Sequence, residues 1–324
     1  MSLLKKFYSL SLIKKIWYRL CMIAIPNIPK IPKSTTKIRK INWGSKKTEE
    51  KNIIYPRIIW SYWNGSESPC AEACQKSWLE YKEDFQINII NSKNLKDFIP
   101  DFPELQKNLP VEKISNLVRL MLIERFGGIW MDYSTIISEP LTWIIKELES
   151  SEAEALLFYN DFPDEYKSDI SRPIIENGFI AGKPNSKFIK QWRINYQKCI
   201  QSDDYTTFFQ NNPDYKNLTS NFLNKDPSYL SYFVCYIAAQ QTMLNPEEYS
   251  LLLLSSQDEY YKIYYRTNPP RSKRKFSEEL LFKNYKSHTP SRIIKITGGH
   301  RQRIDEYIKY NCYKKYSLLG KYIS

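Results

Sequence analysis

The period of the hydrophobic positions changes several times along the chain, and each change predicts an element. At the amino end Leu3, Phe7, Leu10, Ile13, Trp17 and Leu20 advance by three or four residues, the spacing of one helical stripe. Lys5, Lys15 and Arg19 fall toward the other side, so residues 1–24 read as a basic amphipathic helix. Pro26, Pro29 and Pro32 follow in quick succession; proline lacks the amide proton a helix needs, so residues 25–33 predict an extended spacer. Residues 53–63 are dense in β-branched and aromatic side chains and predict a buried strand. Residues 70–84 then carry a helical pattern and residues 86–90 a second strand. This β-α-β order predicts an α/β domain with a mixed, mostly parallel sheet flanked by helices. It divides the chain into a helix-plus-spacer segment, 1–51, and a globular domain, 52–324.

The strongest helical pattern spans residues 111–126, where Ile114, Leu117, Val118, Met121 and Leu122 form one core-facing stripe. Gly127 and Gly128 end it, since glycine takes up a positive φ at least cost. A short apolar strand, 129–131, leads directly to Asp132. Ligands of open α/β sheets bind beyond the carboxyl ends of the strands, so an acid at that point is placed for chemistry. Further strands are predicted at 155–159, 178–181 and 292–297, and further helices at 186–200 and 229–244.

Composition narrows the class. The 324 residues are 42% hydrophobic and 15% aromatic, which excludes a disordered polyelectrolyte. The net charge of +13 is unevenly spread: +11 over 1–51, −10 over 52–261 and +12 over 262–324. A nucleic-acid-binding domain carries its positive footprint on the folded body, and here the body is acidic, so no nucleic-acid partner is expected. The basic, Trp-containing first helix instead suits an anionic membrane surface, contacted through residues 1–24; packing on the protein's own body is the other reading. Lys14, Lys15 and Arg19 interrupt any span or secretory core. Six cysteines form no CxxC pair, which argues for a reducing compartment and against a disulfide scaffold.

Three passages in register carry a resemblance. Pro56-Arg-Ile-Ile-Trp-Ser-Tyr-Trp63-Asn-Gly65 resembles the first strand of DxD-type sugar-nucleotide transferases, Ser115-Asn-Leu-Val-Arg119 their Ser-Asp-x-x-Arg helix, and Gly127-Gly-Ile-Trp-Met-Asp132-Tyr-Ser134 their acidic turn. The match is to the bacterial capsular polysaccharide synthesis glycosyltransferases, related to glycosyltransferase family 32. Asn177-Gly-Phe-Ile-Ala-Gly-Lys-Pro-Asn185 and the run Ile293–Thr297 resemble later segments of the same family.

The resemblance implies a GT-A-like, Rossmann-related fold. It also implies transfer of a hexosyl unit from a nucleotide sugar, UDP-linked and with retention, to a surface polysaccharide or a lipid-linked oligosaccharide precursor. The alternative is a non-catalytic, membrane-associated relative that binds nucleotide sugar or polysaccharide. By resemblance Trp63 stacks on the base beside Gly65, and Asn116, Arg119 and Asn177 contact the donor. A helix ion pair with Glu112 or Glu124 is the other reading of Arg119. Asp132 holds a divalent cation, Mn2+ or Mg2+, against the departing diphosphate. Ser134 replaces the second acid of the motif as a weaker ligand, and His300 is a candidate third. Lys295, His300, Arg301 or Arg303 could reach the leaving group. No general base is assigned; Asp161, Asp164, Glu176 and Asn177 lie in segments that could face the acceptor. Removing Asp132 is expected to abolish transfer with little change in the thermal midpoint. The implied location is cytoplasmic, peripheral at the inner face of the cell membrane.

Overall fold

Two rows of apolar side chains run across the central sheet, one on each face. The computed structural model describes residues 3–23, 31–33, 37–43, 53–106, 109–160, 172–202, 204, 208, 211, 228–244, 249–267, 270–285 and 289–323. Residues 25–30 of the expected spacer, the boundary at 51/52, and Asp161 and Asp164 lie outside them.

The sheet contains β1 (Arg39–Trp43), β2 (Ile58–Tyr62), β3 (Gln86–Ile90), β4 (Gly128–Met131), β6 (Ala155–Asn160), β7 (Ile174–Gly182) and β8 (Tyr249–Ser255), in the order β1-β8-β6-β7-β4-β2-β3. The pairs β2·β3, β2·β4 and β6·β8 are parallel, while β4·β7, β6·β7 and β1·β8 are antiparallel. It follows that β2, β3, β4, β6 and β8 all point one way and only β1 and β7 are reversed. In register, Trp60, Trp130, Ile180, Leu157 and Leu253 form one row. Ile59, Ile129, Ala181, Leu156 and Leu252 form the next, on the opposite face because strand side chains alternate.

The first row packs into one core with α4 (Val111–Phe126), α6 (Lys187–Ile200) and α7 (Ser228–Thr242), through residues such as Leu117, Val118, Trp192 and Val234. The second row packs with α2 (Pro69–Tyr81) and α5 (Thr142–Ser151), through Trp78, Ile144 and Leu148. These two cores are what hold the carboxyl ends of β2 and β4 in fixed relation.

A third cluster gathers both ends of the chain. Tyr18 and Cys21 of α1 (Leu3–Ile23) join Phe276 and Leu280 of α9 (Lys273–Phe282) and Ile304 and Tyr307 of α10 (Gly298–Lys309). A two-stranded antiparallel sheet, β5 (Thr135–Ile137) with β9 (Ile293–Lys295), joins this cluster to the central sheet. The helix α1 packs on the body, one of the two readings its sequence allows, and leaves an apolar stripe uncovered. Tyr18 and Cys21 are buried on the body, and Tyr18 Oη donates to Glu306 Oε2 at 2.5 Å, while Leu12, Ile13, Ile16, Trp17, Leu20 and Ile23 remain exposed. No helix among the described residues is long and apolar enough to cross a membrane.

Residues 39–43, assigned from sequence to the polar segment before the domain, are an edge strand of the domain itself. Ile41 packs against the core while Lys40 reaches the Ser151 carbonyl, a period-2 pattern masked by the surrounding basic residues. The six cysteines are all free and buried.

Candidate active site

The site begins where α4 stops. Gly127 and Gly128 adopt φ of 65° and 91°, which a side chain would strain. A Cβ on Gly128 would also stand 2.5 Å from the Ile58 carbonyl oxygen, so only glycine lets β4 lie this close to β2. The chain then runs straight through β4 to Asp132, whose amide donates to the Gly178 carbonyl at 2.9 Å. Gly178 is small for a reason: its Cβ would come within 3.0 Å of Asp132 Oδ2 and 2.7 Å of Tyr260 Oη.

Both carboxylate oxygens of Asp132 are engaged. Oδ1 receives Trp130 Nε1 at 3.2 Å and lies 3.3 Å from Arg119 Nη2, and Oδ2 accepts from Lys295 Nζ. Burial pushes the Asp132 carboxyl up, but Lys295 and Arg119 together outweigh it and hold the group below the ordinary carboxylate range. The side chain remains 24% exposed, so the acid sits at a surface opening rather than in a sealed core.

Arg119 is more deeply set, with 5% of its side chain exposed. Its guanidinium donates to the Asn177 carbonyl and to Ser115 Oγ at 3.2 Å, and it lies 4.8 Å from the centre of the Trp130 ring. The alternative ion pair with Glu124 is absent because Glu124 pairs with Arg193. Asn177 Nδ2 donates to Asn116 Oδ1 at 3.1 Å, which locks α4 to β7 beside the acid. Glu176, the next residue on β7, is buried among Asn160 Nδ2 at 3.0 Å, Tyr236 Oη at 3.1 Å and the Gly178 amide. Burial raises its pKa, Asn160 opposes the shift and the neighbouring Asp132 charge adds to it.

Trp63, just past the carboxyl end of β2, is tied to the same place by Tyr133. The two rings stack at 4.6 Å with an interplanar angle of 13°, and the Arg301 guanidinium lies 4.7 Å from the Trp63 ring centre. Gly65 folds back on this indole; a Cβ there would stand 2.9 Å from Cζ2. Asn116, Arg119, Asp132, Asn177 and Lys295 are thus linked through direct contacts, while Trp63, Gly65, Tyr133 and Arg301 form a second contacting group, joined to the first by the chain step from Asp132 to Tyr133. Arg303 is elsewhere, bonded to Glu306 and lying over Tyr18 and Tyr307.

Ser134 and His300 depart from the expected metal set. Ser134 is buried and its Oγ donates to the Ile296 carbonyl at 2.7 Å, fastening β4's exit to the last strand. His300 is buried between the rings of Tyr264 and Phe276, with Nδ1 bonded to Thr297 Oγ1 at 2.6 Å. Burial, helped by the charge of Lys273, lowers its pKa to about 4. Among the described residues no group of three or more His, Cys, Asp or Glu side chains is placed to share a metal ion. Sites for Mg2+ and Mn2+ are built on one or two free carboxylates, completed by water and substrate phosphates. Here Asp132 already holds two cations, and the described residues do not fit a cation resident ahead of the donor.

Sequence reasoning missed Tyr133, whose place beside Asp132 gave no hint that it would stack on Trp63. It also left Lys295 and Arg301 undifferentiated within a basic tail, since the contacts that single them out span 163 and 238 residues.

The acid, the arginine and a half-buried aromatic pair all lie at the carboxyl edge of a mixed α/β sheet, the edge beyond which ligands of open α/β sheets bind. The chain belongs to the capsular polysaccharide synthesis protein family, whose model matches residues 28–288. It is 23% identical to the O-glycosyltransferase braB of Annulohypoxylon truncatum, over 53% of this chain and 42% of that protein, so it spans less than half of that relative's length. Among solved structures it is similar to a glycosyltransferase involved in the glycosylation of the major capsid of PBCV-1. That likeness has a TM-score of 0.40 at 12% identity, over 78% of this chain and 98% of that one. It is also similar to the galactosyltransferase LgtC in complex with donor and acceptor sugar analogs, with a TM-score of 0.34 at 12% identity, over 74% of this chain and 87% of that one.

Proposed function

We propose that this chain is a GT-A-type glycosyltransferase that moves a hexosyl unit from a nucleotide sugar to a surface polysaccharide or a lipid-linked glycan precursor. One observation carries the reading: Asp132, Arg119 and the Trp63–Tyr133 stack meet at the carboxyl ends of β2 and β4. A nucleotide sugar needs those chemistries side by side. An aromatic face takes the base, fixed cations take the phosphates, and carboxylate and amide groups take the sugar hydroxyls. Family membership supports a role in capsular polysaccharide synthesis. The reading includes a uridine-linked donor and retention at the anomeric carbon, both brought by the sequence resemblance.

Transfer breaks the bond between the anomeric carbon and the diphosphate oxygen, the acceptor hydroxyl oxygen forms the new one, and its proton passes to the departing diphosphate. The residues at hand orient the donor and offset the charge that develops on the departing diphosphate; electrostatic preorganisation of this kind is usually the largest contribution to catalysis. The exposed stripe on α1, together with its basic residues, supports attachment to the anionic inner face of a cell membrane, where a lipid-linked acceptor would be within reach.

A panel of nucleotide sugars tests the reading through thermal stabilisation of the full chain followed by donor turnover. At least one donor is expected to raise the midpoint and to be consumed, with both effects lost in Trp63→Ala. If no nucleotide sugar does either, the function is wrong. The serine at position 134 favours a second reading, a relative that binds without transferring; stabilisation by a donor with no turnover on any acceptor would select it.

A further inference from the structure

Asp132 is already neutralised by protein cations, and this bears on how a diphosphate would be held. We infer that the donor's diphosphate is bound by Lys295 and Arg301 in place of a divalent cation, with Asp132 as the residue that positions Lys295. The inference rests on the donor reading above and goes beyond it.

Asp132 contributes one negative charge, and Arg119 and Lys295 contribute two positive ones in contact with it. Arg301 adds a third at the same carboxyl edge of the sheet, lying over Trp63, whose stacking partner Tyr133 is the residue after Asp132. Among the described residues the neighbouring acid Glu176 is buried and enclosed by three hydrogen-bond donors. A surround with this balance repels a free divalent cation and attracts a multiply charged anion. Lysine is an effective phosphate ligand as a point charge, and arginine binds the same oxygens through two parallel hydrogen bonds.

The geometry separates the roles of the three cations. Arg119 is committed to the Asn177 carbonyl and to Ser115, so it braces the site. Lys295 ends β9, whose partner strand β5 follows Asp132 closely, and the Asp132 pair fixes its ammonium at the opening. Arg301 lies in the first turn of α10, a short distance further along the chain. A base stacking on Trp63 displaces the Arg301 guanidinium, which is then free to meet the phosphates of the same ligand. One stretch, residues 295–301, thereby supplies both phosphate contacts.

Isothermal titration of the full chain with UDP, GDP and ADP, once in EDTA and once with MnCl2 or MgCl2, decides the matter. At least one diphosphate is expected to bind in EDTA within about tenfold of its affinity with metal. Lys295→Met and Arg301→Met should each weaken it by about tenfold or more, and Lys295→Arg should restore most of the loss. Binding only when the metal is added overturns the inference and leaves the donor reading standing, as does binding in EDTA that neither Met variant weakens. No binding of any diphosphate under either condition removes both. Should Lys295→Met fail to fold by circular dichroism, Arg301→Met and Lys295→Arg, which keep the Asp132 pair, carry the test.

Discussion

Replacing Asp132 by Asn leaves volume and shape nearly unchanged and removes one charge, so its effect on stability isolates the electrostatics of the site. The structure reverses what the sequence alone suggests, namely an acid that can be removed without cost to the fold. Without the carboxylate, Lys295 and Arg119 face each other as like charges, with 11% and 5% of their side chains exposed. Breaking a fully buried ion pair by removing one partner costs about 3–5 kcal/mol. Asp132 retains some contact with water, and Arg119 keeps its bonds to Asn177 and Ser115, which lowers the figure to roughly 2–3 kcal/mol. For a chain of 324 residues, at about 2.1 cal/mol/K of unfolding entropy per residue, that corresponds to a fall in Tm of roughly 3–4 °C. Thermal unfolding followed by circular dichroism reads it directly. The pH dependence has a definite sign: the native pKa of Asp132 is depressed, so its contribution is present above the ordinary carboxylate range and is lost as pH falls through the native value. The gap between parent and variant should therefore close in acid. A double-mutant cycle with Lys295→Met should show coupling of about 1–2 kcal/mol. A variant as stable as the parent at neutral pH, or a cycle that is simply additive, refutes this account of the site.

Two further outcomes follow from other parts of the molecule. Burial holds the native pKa of His300 at about 4 against an unfolded value of 6.5, so the unfolded chain binds the extra proton first. The stability this group contributes is complete above pH 6.5 and declines toward pH 4, by up to about 3 kcal/mol, so urea unfolding of His300→Gln should show a flatter acid limb than the parent; parallel limbs would refute it. On α1, the triple change of Ile13, Ile16 and Leu20 to Ser should release the protein from anionic liposomes without disturbing the buried Tyr18 contact, and undiminished co-sedimentation would count against the membrane face.

The parts of the fold legible from sequence were those whose signal is local. The stripe of α4, its two terminating glycines and the apolar run of β4 lie within 21 residues of each other, and they predicted Asp132 at a strand's carboxyl end. β8 is not legible from sequence because Tyr249–Ser255 contains four consecutive leucines, a run that fits a buried helix as well as a buried strand; its position between β1 and β6 makes it a strand. β1 was obscured by its basic neighbours, and β5 is a three-residue strand stabilised across more than 150 residues by β9, the strand expected at 292–297.

The same distinction explains the chemistry of the site. Spacing could nominate Asp132 and Arg119, since the helix, the turn and the strand between them are specified by neighbouring residues. It could not assign Ser134, because whether a hydroxyl is available to a ligand depends on what else needs it, and here the Ile296 carbonyl does. Nor could it distinguish Lys295 from the other cations of the last segment, which look alike until β9 pairs with β5 and brings one ammonium to the acid. A motif with one acid missing therefore reads as a weakened metal site when only the near residues are counted. Once the distant strand is in place, the missing charge is balanced from the opposite direction: the site has lost an anion and holds a lysine against the one that remains. On the inference drawn above, both features lower the need for a metal, and a divalent cation competes for Asp132 on equal terms only once both are undone, by restoring the acid at 134 and removing the ammonium at 295.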